Sequence, residues 1–453
     1  MKKLLAGSLA AILLTGMLAG CGDNKANGND NSGSAGADTG KAVTITHWEM
    51  VNGPADTYEP AAKAIVDKFN ETNDKNITVE LQMTPWDNFY QTFLTAITSG
   101  AAPDTSTGAS TQPLQYALMG EILDLQPIVD EWKEEGNDIV NQFPEGSLDM
   151  LTYDGELTGI PWALDPRGIT YRTDYFEKAG ITEMPATWDE FLEVCKKLKE
   201  SNPDVVPFVF GGADQMSTQT MMLFLMQNGT GFTDENTEAD FTSSKVTEVL
   251  EFLHELSANG YISEGTASYK SADAEKMYCS GTAAMWFNGM PTATIEYEDI
   301  ASNSSVLPAF AGPSGGEARY YTWVNAIMAY TQSEAPGACR AFIKYWIENE
   351  LTLFTEGGCS QLPARADLQK DSFFSDTWYT KEFSEKVIPV AVPQSWPAPA
   401  LFPAFSQIEG EDYTGKAMQA VITGSTDYET IQKDTNDLIA KALEEYGKDY
   451  DEE

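Results

Sequence analysis

Cys21 has the most informative surroundings of any residue here that can do covalent chemistry. Lys2 and Lys3 open the chain, Leu4 to Met17 is a nearly continuous apolar run, and Leu18-Ala19-Gly20 precede the thiol. The apolar run is too short to span a bilayer comfortably, and its order is that of an export signal. A cysteine directly after such a signal is expected to carry lipid on its sulfur and to become the new N-terminus. Four further cysteines, Cys195, Cys279, Cys339 and Cys359, form no CxxC pair. Cys195 and Cys339 lie in helix-like apolar runs and read as small buried hydrophobes. Export permits disulfides, but the sequence assigns no pairing. The two histidines, His47 and His254, have no clustered partners that would suggest a zinc site. No metal and no cofactor are expected.

These residues must be carried by a body with room for a large core. After the signal, Gly22 to Gly40 is mostly Gly, Ser, Asn, Asp and Ala. Such a segment buries too little to offset its ordering entropy, and as a coil it reaches about 25 Å. The stretch that follows is too long for one simple core and suggests two lobes. The net charge of −41 repels phosphate backbones and anionic headgroups, so nucleic acid is excluded as a partner and any membrane contact falls to the lipid. Val43 to His47 alternates as a strand. Tyr58, Ala61, Ala62, Ile65, Val66 and Phe69 fall at helical spacing. Ile77 to Met83 alternates again, and Trp86, Phe89, Phe93 and Ile97 mark another helix. Strand, helix, strand, helix is the pattern of an α/β sheet, in which ligands sit beyond the carboxyl ends of the strands. Further strands are expected at 168–171, 205–210 and 283–287, and further helices from Pro185, over 246–256, over 336–350 and over 430–446.

Six short segments then line up in a familiar order. They are Ser99-Gly100-Ala101-Ala102-Pro103-Asp104; Tyr153-Asp154-Gly155-Glu156-Leu157 with Gly159-Ile160-Pro161-Trp162; Tyr171 through Ile181; Pro185 through Phe191; Ser280-Gly281-Thr282-Ala283-Ala284-Met285; and Leu362-Pro363-Ala364-Arg365. Over about residues 43–445 the chain resembles the extracellular solute-binding proteins of carbohydrate ABC importers, the family that includes maltose-binding protein. Arg172 departs from the asparagine often found there, and 211–239 follows no general pattern. The resemblance implies an α/β, two-lobed periplasmic-binding-protein-like fold with a hinge and an interlobe cleft. It implies a signal over 1–20, a lipidated linker over 21–40, a first lobe over 41–155 and 308–356, and a second lobe over 156–307 and 357–453.

What the resemblance implies for function is capture of a mono- or oligosaccharide and its delivery to the permease subunits of an ABC importer. A monomeric, lipid-anchored protein on the extracellular face of the membrane is expected, and not an enzyme. Sugars present apolar faces and rings of hydroxyls, which suit aromatic rings and carboxylate, amide or guanidinium groups. The candidate ligand-binding residues are Trp48 and Glu49 after the first strand; Trp86 and Asp87; Ser110 and Thr111; Trp162; Asp165 and Arg167 between the lobes; Trp286, Asn288 and Gly289; Trp323; and Trp396. The alternatives are a surface glycoside hydrolase, which needs two carboxyl groups about 5–10 Å apart, and a sugar-sensing or adhesive lipoprotein.

Overall fold

The computed structural model describes residues 42–447; Cys21, the signal and the linker lie outside the described residues. The first lobe opens with strand β1 (Val43–Met50), helix α1 (Ala55–Thr72), strand β2 (Ile77–Thr84), helix α2 (Phe89–Thr98) and strand β3 (Thr105–Gly108). All six apolar residues at helical spacing in α1 are buried, as an amphipathic helix on a sheet requires. β1 runs parallel to both β2 and β3. It continues three residues past His47, so Trp48 and Glu49 lie within the strand rather than beyond its end.

Next come β4 (Ile160–Arg172), α3 (Trp188–Ser201), β5 (Val206–Val209), α4 (Met216–Gln227), α5 (Ser271–Cys279), β6 (Ala283–Asn288) and β7 (Tyr320–Ala329). Thr187 caps α3, its hydroxyl accepting from the Glu190 amide at 3.3 Å. All twelve residues of α4 are buried, its polar Ser217, Thr218, Gln219, Thr220 and Gln227 included, so the helix shows no solvent-facing polar stripe. The sheet order is β2-β1-β3-β7-β4-β6-β5, with three shorter strands paired to β4 and β7 off this path. β4 and β7 are the long members. The first part of β4 pairs antiparallel with β7 and its end, Gly168–Tyr171, pairs with β6. β7 in turn finishes against β3. The two strands therefore carry the chain from lobe to lobe. Residues just before β7 still belong with the second lobe by packing: Phe310 stacks on Phe191 of α3 at 4.8 Å, and Ala311 bridges Thr187.

Helix α6 (Pro336–Asn349) returns to the first lobe, where Phe342 and Trp346 pack on the ring of His47. The chain ends in α7 (Ala404–Gly410), α8 (Tyr413–Ile422) and α9 (Tyr428–Tyr446). The end of α7 lies tight on α2: a Cβ on Gly410 would stand 2.4 Å from the Tyr90 ring. Two residues later Asp412 adopts a left-handed conformation, φ 54°. Its carboxylate accepts from Ser217 at 3.1 Å and Thr218 at 2.6 Å, at the start of α4. The connection from α7 to α8 thus touches both lobes. Cys195, Cys279, Cys339 and Cys359 are all buried free thiols.

Candidate functional site

A cavity of about 1100 Å³ lies between the lobes. Its floor follows from the pairing of β4 and β7. Trp323 stands opposite Asp165 and Tyr321 opposite Arg167. Side chains alternate across a strand, so Asp165 and Arg167 share one face of the sheet with Trp323 and Asn325, and all four line the cavity. The guanidinium of Arg167 bonds the Asp165 carboxylate, donates through Nε to Gln219 at 3.0 Å and lies 4.7 Å above the Trp323 ring. Burial works against the Arg167 charge, but Asp165, Tyr321 and Glu409 together outweigh it and hold the guanidinium protonated. Gly289 leaves room for this group; a Cβ there would lie 3.0 Å from Arg167 Nη1.

Glu409, the penultimate residue of α7, completes the floor and is 4 % exposed. The Gln219 amide donates to it at 3.4 Å. Burial pushes its carboxyl up to about 7, against the opposing pull of Gln219 and Arg167.

The first-lobe wall starts with the turn after β1. Asn52 accepts from Trp86 Nε1 at 3.1 Å and from Gln361 at 3.1 Å. Trp86 meets Phe89 edge to face at 5.1 Å, so its indole is fixed before α2 begins. On the second-lobe wall, Asn288 donates to Ser271 at 3.2 Å. Asp214 accepts from the Ser271 amide at 2.6 Å, and Tyr297 stands 48 % exposed at the rim. Lys270 reaches across the mouth to Asp87, Nζ to Oδ2 3.5 Å. Carboxyl, amide and guanidinium groups thus alternate with indole and phenol faces. That arrangement suits a solute with hydroxyl edges and apolar faces.

Of the residues singled out in the sequence, Trp86, Asp87, Asp165, Arg167, Trp286, Asn288, Gly289 and Trp323 line this cavity. Six others stand elsewhere. Trp48 packs on Phe93 at 5.3 Å in the core beneath α2. Glu49, on the opposite face of β1, is fully buried and accepts from Tyr58 at 2.6 Å and Thr107 at 2.8 Å. Trp162 has the other parity from Asp165 along β4 and faces Phe354 at 5.9 Å. Ser110 and Thr111 are buried beneath the surface of the cleft, where Ser110 accepts from Gln394. Trp396 lies under the Arg319 guanidinium, 4.4 Å from it. Asn52, Asp214, Gln219, Lys270, Tyr297, Asn325 and Glu409 line the cavity and were not anticipated. Asn52 and Asn325 were within reach of the sequence, one just after a strand and one two residues beyond Trp323. Glu409 lies 190 residues from Gln219, which donates to it, and no local pattern joins them.

Comparison with known proteins now adds the family. Residues 55–352 match the family model described as bacterial extracellular solute-binding protein. A sugar transporter structure from Arthrobacter chlorophenolicus A6, with bound laminaribiose, is 26% identical with a TM-score of 0.81, covering 88% of this chain and 99% of that one. The maltose-bound MalE3 of T. maritima shares the fold at a TM-score of 0.75 and 21% identity, covering 89% and 100%. The arabinooligosaccharide-binding protein of Halalkalibacterium halodurans is 24% identical over 297 residues, 63% of each chain. These relatives are binding proteins rather than enzymes. The chain belongs to the bacterial extracellular solute-binding proteins of ABC transporters.

Proposed function

We propose that the interlobe cleft captures a neutral saccharide and that closure of the lobes around it presents the loaded protein to the permease of an ABC importer. The observation that carries this is the floor: Trp323, Arg167 and Asp165 side by side on one sheet face, with Trp86 on the facing wall. An indole stacks on the apolar face of a sugar ring, and the fixed carboxylate and guanidinium meet its hydroxyls with charge-assisted bonds. Relatives solved or described with laminaribiose, maltose and arabinooligosaccharide support a saccharide over another polar solute. A cavity of about 1100 Å³ exceeds the need of one hexose and favours a chain of two or more sugars. Ligand contacts to both lobes shift an open–closed equilibrium toward the closed form. By the sequence reading, the protein works from the outer membrane face, held there by lipid on Cys21. The test is a thermal-shift screen with laminaribiose, maltose and arabinooligosaccharides. A binder raises the melting temperature, by an amount equivalent to about 2.7 kcal/mol at a hundredfold excess over Kd, and is returned unhydrolysed. No shift with any saccharide, or a shift only with amino acids or peptides, would overturn the assignment.

A further inference from the structure

We propose that Glu409 is a solute-contacting residue that acts as the neutral carboxylic acid, so that the cleft takes up a proton together with its solute and binds more weakly in alkaline surroundings. The inference rests on the reading of the cleft as the solute site and names a specificity device within it. Its basis is a mismatch of charges at the floor. Strand β4 brings Arg167 and Asp165 to Glu409, β7 brings Trp323 and the Tyr321 phenol, and α4 brings the uncharged Gln219. Tyr90 of α2 lies against the adjacent Gly410. Beyond the helix end, Glu411 faces Tyr90, Tyr413 and Tyr446, and Asp412 faces Ser217 and Thr218. One guanidinium, already bonded to Asp165, therefore serves two buried carboxyl groups. Among the described residues, Glu409 is the one without an ion pair of its own.

Burial has already moved this carboxyl to about 7 before any solute arrives. A solute that expels water from the floor makes the charged form costlier still and moves it further up. A neutral carboxyl both donates and accepts, which matches a sugar hydroxyl that does the same. The sign follows. A group that holds its proton more tightly in the complex gives an affinity that is constant below the free value. That affinity then falls, by up to tenfold per pH unit, above it.

The experiment is calorimetric titration of the full-length protein with laminaribiose, maltose and arabinooligosaccharides, from about pH 6 to about pH 9. Buffers of differing ionisation enthalpy give the proton count. The expected result is net proton uptake near pH 8, an affinity falling several-fold to tenfold per unit above about pH 7, and loss of that slope in Glu409→Gln. Glu409→Asp, which keeps a titrating carboxyl, retains a slope. A flat wild-type affinity, net proton release, or a slope that survives in Glu409→Gln overturns the inference while leaving the cleft assignment intact. Should Glu409→Gln fail to fold, the wild-type proton count decides alone: uptake supports, zero or release refutes. Absence of binding by every probe at pH 6 sinks the cleft assignment, and this inference with it.

Discussion

Arg167 holds together more of the cleft floor than any other side chain: it bonds Asp165 and Gln219, covers Trp323 and fills the space that Gly289 leaves. Removing it leaves the Asp165 carboxylate buried without its partner, which costs more than the bond itself was worth. Arg167→Ala is expected to lower saccharide affinity at least tenfold, about 1.4 kcal/mol. Trp323→Ala, which removes the indole that supports the Arg167 guanidinium at the centre of the floor, is expected to cost about 1–3 kcal/mol of affinity. Titration and unliganded melting on the same two variants separate recognition from structure. A lowered melting temperature with normal affinity would make the Asp165–Arg167 pair a mere brace. Asp165, Arg167 and Trp323 were legible in the sequence because they fall at the lobe crossings. Trp162 was not, although it lies three residues from Asp165. Its odd spacing along a strand turns it to the other face, and a strand start misplaced beyond Trp162 hides that parity.

At the scale of elements, the alternations and helical spacings of the first lobe translated directly into β1, α1 and β2, because each buries one face and exposes the other. The same logic misplaced Trp48 and Glu49, since a strand three residues longer than its clear alternation buries Glu49 and turns the half-buried Trp48 onto Phe93. It was silent about α4, which has no polar face to set a period, and about α7, seven residues long, whose position is decided by contacts distant in sequence. Gly410 tests that position. Its missing side chain lets α7 approach α2, and a methyl group there would press on the base of the Tyr90 side chain, which cannot swing away. Gly410→Ala is expected to destabilise the protein by about 1–3 kcal/mol, the usual cost of overpacking, with Tyr90→Ala partly restoring the loss. A neutral effect of Gly410→Ala on thermal unfolding would mean that α7 does not sit so close.

For the whole molecule, the lipid anchor proposed at Cys21 and the cleft are expected to act independently. Cys21→Ala is expected to release the protein from the membrane fraction with saccharide affinity unchanged; full retention would exclude the lipid anchor. The two crossing strands carry a different consequence. β4 and β7 are at once the strands that cross between the lobes and the floor of the cleft, so in the proposed closure the floor groups sit near the axis and travel little. Lys270 and Asp87 stand at the far end of the lever arm, across the mouth and mostly exposed. Early encounter is then governed near the axis, and dwell time at the rim. Lys270→Ala is expected to raise the solute off-rate several-fold, in keeping with a weak exposed ion pair of about 0.2–1 kcal/mol, and to leave the on-rate alone. Stopped-flow tryptophan fluorescence reads both. A rim substitution that slowed arrival instead would place the pivot elsewhere. On the proposed closure, the back of the cleft seizes the solute and the front times its release.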